Sequence, residues 1–196
     1  MKDIEVFFVG RANAGKSAVL KELFGLKTRV GRRPGVTRAP VRYQLDNFIV
    51  IDLPGIGYRL GLNGYRCVLR DVIDGERHKL RPLSLGVQVI DGKSFLAITE
   101  RHFKPLDVDL FEYLLDSEID PIVAINKMDQ IKEPEASLDR IVSQLGMLPP
   151  YKQWADRVVP ISAKRHDVAQ LRWLISHRLQ RMKAKSGETS SYSLVQ

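Results

Sequence analysis

The chain contains 196 residues, of which 44% are hydrophobic and 28% are charged. This composition is typical of one packed globular domain, and it excludes a largely disordered chain, a collagen-like fibre and a coiled coil. The formal net charge of +8 favours binding to a polyanion such as nucleic acid, although a gain in solubility explains it equally well.

The cysteine content and the hydropathy of the chain indicate its cellular environment. The single cysteine, Cys67, cannot form an intramolecular disulfide, which fits a reducing compartment. No apolar run approaches the ~20 residues of a membrane-spanning helix, and the first residues contain no apolar signal core. We expect a cytoplasmic protein with no membrane partner, and we expect it to be a monomer.

Short apolar runs alternate with amphipathic segments along most of the chain. The first run, residues 5–9, predicts a buried strand, and residues 18–25 predict a helix. Residues 27–42 have no clear period and contain several Gly and Pro residues, which predicts a long exposed loop. Further strands are predicted at residues 41–45, 48–53, 83–90, 121–125 and 157–161, and further helices at residues 63–80, 107–115, 133–145 and 168–183.

This alternation predicts a three-layer α/β fold with a mostly parallel, six-stranded sheet. One antiparallel strand is expected, because only Asp46 and Asn47 separate residues 41–45 from residues 48–53, and parallel strands need a longer crossover. Residues 1–185 are predicted to form a single domain. The polar, Ser-rich tail at residues 186–196 is predicted to be disordered.

The segment between the first strand and the first helix has the spacing G-x-x-x-x-G-K-[ST] of a phosphate-binding loop. Its residues are Gly10, Arg11, Ala12, Asn13, Ala14, Gly15, Lys16 and Ser17. The glycines allow a tight turn whose N–H groups point at a phosphate, and the following helix adds positive partial charge at its N-terminus. Lys16 is predicted to reach the β- and γ-phosphates, and the Ser17 hydroxyl is predicted to bind Mg²⁺.

A D-x-x-G sequence lies at the end of the strand predicted at residues 48–53. Its residues are Asp52, Leu53, Pro54 and Gly55. Such a short pattern is common by chance, so the prediction of a role at the phosphates rests on its position at the end of a strand. The Asp52 carboxylate is predicted to hold a water on Mg²⁺, and the Gly55 N–H is predicted to contact a γ-phosphate.

An N-K-x-D sequence after the strand at residues 121–125 predicts selectivity for a base. Its residues are Asn126, Lys127, Met128 and Asp129. A carboxylate accepts from guanine N1–H and from the exocyclic amine together, and adenine lacks this pair of donors, so Asp129 is predicted to select guanine. Asn126 is expected to tie this loop to the phosphate loop, and the stem of Lys127 is expected to pack along the base.

The sequence Ser162, Ala163 and Lys164 follows the last predicted strand. At this position the Ala163 N–H is the expected donor to guanine O6, and Lys164 is expected to cover the other face of the base. As a tripeptide the pattern is weak, and it gains weight from its place after the other motifs.

In this order the motifs resemble those of the EngB (YihA/YsxC) family, which belongs to the translation-factor-related P-loop GTPases. The narrower resemblance rests on the sequences GRANAGKS, RPGVTR and DLPGIGY, and it extends over residues 6–183. It implies a P-loop GTPase G domain that binds GTP, GDP and Mg²⁺. It also implies that Gly35, Val36 and Thr37 belong to the first switch, with the Thr37 hydroxyl on Mg²⁺ and its N–H at the γ-phosphate.

Two positions bear on GTP hydrolysis, for which Lys16, Thr37, Gly55 and Asn13 are the candidate catalytic residues. Ile56 stands where related GTPases have a water-orienting glutamine, and its side chain forms no hydrogen bond, so a slow intrinsic rate is predicted. Asn13 lies where several related GTPases use asparagine to bind K⁺. The alternative is that Asn13 only tolerates the backbone angles of the loop.

Basic residues concentrate in two segments, residues 27–42 and 165–185. Both are predicted to contact RNA phosphates, and the alternative for each is a solvated face. The family resemblance implies binding to the rRNA of the large ribosomal subunit during its assembly, and a link to normal cell division and septation. The competing hypotheses are a constitutive RNA-binding protein with a vestigial nucleotide site, and a P-loop kinase or ATPase, which the N-K-x-D sequence disfavours.

Overall fold

The computed structural model describes residues 4–26, 40–57, 63–64, 66–67 and 84–186. The strands are β1 (Ile4–Val9), β2 (Val41–Gln44), β3 (Phe48–Asp52), β4 (Ser84–Asp91), β5 (Ile122–Asn126) and β6 (Val158–Pro160). The α-helices with assigned bounds are α1 (Lys16–Phe24), α2 (Gly92–Thr99), α3 (Leu106–Asp116), α4 (Pro134–Gln144) and α5 (Ala169–Ser186). Short 3₁₀ turns lie at Met128–Gln130, Tyr151–Trp154 and Ala163–Arg165.

The strands form one six-stranded sheet in the order β2-β3-β1-β4-β5-β6. β2 pairs antiparallel with β3, and every other pair is parallel, as the sequence predicted. The antiparallel pair is closed by the Leu45 N–H, which donates to the Phe48 carbonyl at 3.0 Å. The tight connection at Asp46 and Asn47 therefore produces the one reversal of direction in this sheet.

Helices cover both faces of the sheet. Alternate residues of β1 point to opposite faces, because side chains alternate along a strand. Val6 and Phe8 pack in a core with α1 and α5, whereas Phe7 and Val9 pack in a core with α3. α2 and α4 cover β5 on the same face as α3, through residues such as Phe95. The predicted three-layer architecture is confirmed.

Three helices differ from the prediction by more than one residue at an end or were not predicted at all. α2 was not predicted, because its sequence GKSFLAIT begins with glycine and contains β-branched residues of low helix propensity. α1 begins at Lys16, two residues before the predicted start, because Gly15 caps it in a left-handed conformation at φ 95°. α5 continues to Ser186, past the predicted end at residue 183.

Several predicted segments fall partly outside the described residues. In the predicted loop at residues 27–42, residues 41–42 belong to β2 and residues 27–39 are not described. In the predicted helix at residues 63–80, residues 63–64 and 66–67 are helical and the others are not described. Residues 187–196 of the predicted tail also lie outside the described part. Within that part, no helix is long and apolar enough to cross a membrane.

Candidate functional site

The motifs predicted from sequence meet at one edge of the sheet. β1 leads into the phosphate loop, β3 ends at Asp52, β5 ends at Asn126, and β6 is followed by Ser162. All four strands are parallel, so their carboxyl ends lie at the same edge, where open α/β sheets bind ligands. The fold therefore brings together the phosphate, metal and base motifs.

The phosphate loop is fixed by close packing of its first glycine. A Cβ at Gly10 would lie 2.2 Å from the carbonyl oxygen of Val89 in β4, and φ at Gly10 is +145°. Both features require glycine at this position. The loop then turns through Asn13, at φ 66°, before α1 begins at Lys16.

The side chain of Lys16 folds into the loop that it follows. Its Nζ donates to the carbonyl oxygens of Gly10 at 3.1 Å and Arg11 at 3.3 Å. Burial lowers the pKa of Lys16 to about 8, while the charges of Asp52 and Asp107 oppose that shift. The ammonium therefore lies in the concavity where the sequence predicts phosphates, and a phosphate would replace carbonyl partners with charged ones.

The base motifs are joined to the phosphate loop by hydrogen bonds. Asn126 Nδ2 donates to the Ala14 carbonyl at 2.9 Å, which confirms the predicted tie between the two loops. Asn126 Oδ1 accepts from the Ala163 N–H at 3.2 Å. This N–H, the expected donor to guanine O6, is thus engaged by Asn126, because the buried carboxamide oxygen needs a donor.

Asp129 is oriented by a neighbour from the loop after β6. Ser162 Oγ donates to Asp129 Oδ1 at 2.6 Å. Ser162 is among the residues predicted to bind the nucleotide, and in the structure its hydroxyl holds the carboxylate that is predicted to select the base. Lys164, the expected cover of the base, is exposed, and Met128 is half-buried in the turn that carries Asp129.

The D-x-x-G segment is joined to the phosphate loop along its backbone. Ile56 N–H donates to the Gly10 carbonyl at 3.2 Å, and the Ile56 carbonyl accepts from the Ala12 N–H at 2.9 Å. A Cβ at Gly55 would lie 2.6 Å from the Ala12 Cα, so only glycine permits this approach. Leu53 and Pro54 are buried behind it. The predicted Gly35, Val36 and Thr37 contacts lie outside the described residues.

The residues present fit a magnesium ion. Ser17 lies in the first turn of α1, and the buried Asp52 carboxylate is close enough to Lys16 to act on its pKa. Hydroxyl and carboxylate oxygens are the ligands that Mg²⁺ prefers, together with waters and substrate phosphates. Ser17 would hold the ion directly and Asp52 through a water.

Comparison with known proteins identifies the family. A protein-family model described as "50S ribosome-binding GTPase" matches residues 5–127. A Methanosarcina barkeri protein named "Probable GTP-binding protein EngB" is 40% identical over 190 residues, which cover 91% of this chain and 90% of the relative. The chain belongs to the EngB family of GTP-binding proteins. It is therefore a GTP-binding protein of a GTPase family.

Solved structures agree with this membership. The crystal structure of a probable EngB GTP-binding protein is 28% identical, with a TM-score of 0.68, and the match covers 92% of this chain and 99% of that one. Aquifex aeolicus Era bound to GDP and AlF₄⁻ shares the fold at 23% identity and a TM-score of 0.61, over 92% of this chain and 57% of Era. The EngB fold is thus recognisable over nearly the whole chain.

Sequence reasoning missed a buried polar cluster beside the phosphate loop of this EngB protein. Asp107, in the first turn of α3, lies 3.6 Å from the Arg11 guanidinium, and its backbone carbonyl accepts from Gln88 Nε2 at 2.7 Å. Asp107 Oδ1 and Gln88 Oε1 are both buried, and no hydrogen-bond donor reaches either oxygen from the described residues. No local pattern marks Asp107, because its place depends on the docking of α3 against β4.

The stability of this EngB protein is expected to fall as Asp107 ionises. Burial raises the pKa of Asp107 from 3.8 to about 7, although the Arg11 guanidinium opposes this and the nearby Asp91 adds to it. The folded state thus retains the proton to a higher pH than the unfolded state. The contribution of Asp107 to the free energy of unfolding is fully present below pH ~4. It falls by ~4 kcal/mol in total as the pH rises to about 7.

Denaturant unfolding of wild type and Asp107→Asn between pH 4 and pH 8 measures this loss. The amide does not ionise, so the difference in free energy of unfolding should shift in favour of the variant as the pH rises. Asp109→Asn is the matched control, because Asp109 lies on the same helix, is accessible to solvent and pairs with Lys104. A pH-independent difference for Asp107→Asn would contradict the prediction.

Proposed function

We propose that this protein is a cytoplasmic, GTP-dependent switch that assists assembly of the large ribosomal subunit and so supports normal cell division and septation. The switch function is supported mainly by the pair of backbone hydrogen bonds between Ile56 and the phosphate loop. They connect the segment that contacts a γ-phosphate to the loop that holds the phosphates. Loss of the γ-phosphate is therefore expected to change the conformation of the D-x-x-G segment, which would act as a second switch.

Hydrolysis would proceed by in-line attack of water on the γ-phosphate, with positioning and charge as the main sources of catalysis. Magnesium, when bound, neutralises charge on the phosphate oxygens. Lys16 would donate to those oxygens from the concavity of the loop. Ile56 is 1% exposed, and both of its backbone polar groups are engaged, so it does not orient water. This supports a slow intrinsic rate that a cation or a partner raises.

We expect K⁺ to raise the rate through Asn13. Its φ of +66° favours the alternative that asparagine is present for the backbone, while its exposed side chain leaves the amide available to a cation. Asn13→Gly separates the two roles, because glycine adopts the same φ without a carboxamide. Wild-type single-turnover hydrolysis should be at least about tenfold faster in KCl than in NaCl at equal ionic strength.

In Asn13→Gly the difference between KCl and NaCl should disappear while GDP affinity is retained. The carbonyl of residue 13, which accepts from Lys127 Nζ at 2.9 Å, is present in both proteins. Equal wild-type rates in the two salts would leave only the backbone role for Asn13.

The second basic segment offers fewer free charges than its sequence suggests. Arg172 donates to the Glu22 carbonyl, and Arg178 pairs with Asp120, each at 2.8 Å. Arg165 and Arg181 are exposed. The support for an RNA partner in this segment therefore comes from these two cations, not from the whole segment.

An exposed aromatic pair lies on α5, the helix that contains most of this basic segment. Trp173 is 61% exposed and stacks on His177, with ring centroids 5.1 Å apart and planes 7° apart. No acidic residue occurs between residues 168 and 186. An exposed aromatic face can stack on an unpaired RNA base, while nearby cations contact phosphates. The family model, described as a 50S ribosome-binding GTPase, supports the large subunit as the source of that RNA.

Co-sedimentation with purified large and small ribosomal subunits tests the proposal. The protein is loaded with a non-hydrolysable GTP analogue, with GDP or with no nucleotide. Binding to the large subunit that depends on the analogue is expected, and Trp173→Ala should weaken it. Phe103→Ala is the matched control, because Phe103 is equally exposed but lies after α2, on the other face of the sheet.

Other outcomes would replace the proposal. Equal binding in all three nucleotide states would indicate a constitutive RNA-binding protein with a vestigial nucleotide site. Absence of binding in every state would overturn the ribosomal partner.

A further inference from the structure

We propose that Asp91 is a positioning residue for guanine-nucleotide binding, which acts by holding the Lys127 ammonium against the phosphate loop. Asp91 lies outside every sequence motif of the site. It ends β4, and its Cα pairs with that of Asn126, the first residue of the N-K-x-D sequence. The inference rests on the guanine-nucleotide binding of the family and not on the ribosomal partner.

The Lys127 ammonium is held between two elements. Its Nζ donates to the Asn13 carbonyl at 2.9 Å and to Asp91 Oδ2 at 2.5 Å. Lys127 itself adopts a left-handed conformation, with φ 67°. Without Asp91, the Asn13 carbonyl would be the remaining acceptor of the ammonium among the described residues, and the Lys127 side chain is already 29% exposed. Water would then compete for it.

The Asp91 carboxylate is itself fixed before any nucleotide arrives. As the N-cap of α2, its Oδ1 accepts from the Ser94 N–H at 3.0 Å, and its Oδ2 accepts from Ser94 Oγ at 2.8 Å. Its side chain is 13% exposed. A carboxylate held at a helix N-terminus is a rigid anchor, so the entropy of ordering Lys127 is lost on folding and not on binding.

The cap role and the anchoring role can be separated by one substitution. Asparagine caps helices as well as aspartate does, so Asp91→Asn should retain α2 while removing the charged acceptor of Lys127. We expect the affinity for GDP and for GTP to fall equally, by about tenfold, because a charge-assisted hydrogen bond is lost and the guanosine part is common to both. The rate of hydrolysis of bound GTP should stay unchanged.

The Lys127→Met background distinguishes positioning from a general structural effect. There, adding Asp91→Asn should change GDP affinity by less than about twofold, because the partner of Asp91 is already absent. This step matters because Asp91 also acts on the pKa of Asp107, and an effect through Asp107 would persist in that background. Ser94→Ala is the control for the cap, since it removes one bond to Asp91 and leaves Lys127 in place.

Fluorescent GDP titration and thermal unfolding of the nucleotide-free protein complete the test. Supporting results are the tenfold loss in the otherwise wild-type protein, its absence beside Lys127→Met, and a clearly smaller loss for Ser94→Ala than for Asp91→Asn. Equal losses in the two backgrounds would overturn the proposal, as would a lower melting temperature without loss of affinity. Each of these outcomes is independent of ribosome binding.

Discussion

Asp129→Asn is expected to lower the affinity for GDP by at least about 100-fold and to create affinity for xanthosine diphosphate. A carboxylate accepts both N–H groups on the Watson–Crick edge of guanine. The Asn amide presents a donor there, which opposes the donors of guanine and matches the additional carbonyl of xanthine. The expected change is therefore an exchange of specificity and not a simple loss.

The structure predicts which way the new amide will face. Ser162 Oγ donates to Asp129 Oδ1 at 2.6 Å, and the same hydroxyl can donate to the carbonyl oxygen of asparagine. The NH₂ group then occupies the remaining position, toward the base. Ser162→Ala is the matched control, since it frees the carboxylate without inverting its hydrogen bonding. It should weaken GDP binding and give no affinity for xanthosine diphosphate.

Calorimetric titration with the diphosphates of guanosine, xanthosine and adenosine measures both effects. Wild-type protein should prefer guanosine, and Asp129→Asn should prefer xanthosine. Undiminished GDP binding by Asp129→Asn would mean that Asp129 does not contact the base. The roles of Asn126 and Ser162 derived above would then have to be revised.

Site residues could be predicted from the sequence wherever a motif coincides with the end of a strand. Asp52 and Asn126 each end an apolar strand, and the rule that parallel strands open at one edge is enough to bring them together. Even the tie between Asn126 and the phosphate loop follows from this placement. Such contacts are predictable because they depend on the order of the strands and not on the details of side-chain packing.

Site residues could not be predicted from the sequence where their position depends on strand register or on the docking of a helix. Asp91 reaches Lys127 because its Cα pairs with that of Asn126, and a shift of one residue would turn it to the other face of the sheet. Asp107 reaches Arg11 only because α3 packs against β4. Neither carboxylate has a local pattern that distinguishes it from the exposed acidic residues around it. The hydrogen bond from Ser162 to Asp129 was not predicted, for the same reason.

Gly10→Ala is expected to destabilise the folded state by at least ~3 kcal/mol and to abolish nucleotide binding, because the new Cβ meets backbone. The Val89 carbonyl would lie 2.2 Å from it, and β4 is held on both sides by neighbouring strands. Relief requires movement of the phosphate loop. The Gly10 carbonyl accepts from both Lys16 Nζ and the Ile56 N–H, so that movement breaks the contacts of Lys16 and of the residue after the D-x-x-G segment together.

Gly25→Ala provides the matched comparison. Gly25 ends α1 at φ +65°, and a Cβ there would meet nothing within 4 Å. Only the backbone strain of a left-handed residue remains, which costs ~1 kcal/mol. Urea unfolding and GDP titration of the two variants therefore separate strain from collision: Gly25→Ala should bind GDP normally, and Gly10→Ala should not. Equal losses of stability in the two variants would mean that β4 yields to the added methyl group, and that the phosphate loop is less tightly fixed to the sheet than its hydrogen bonds indicate.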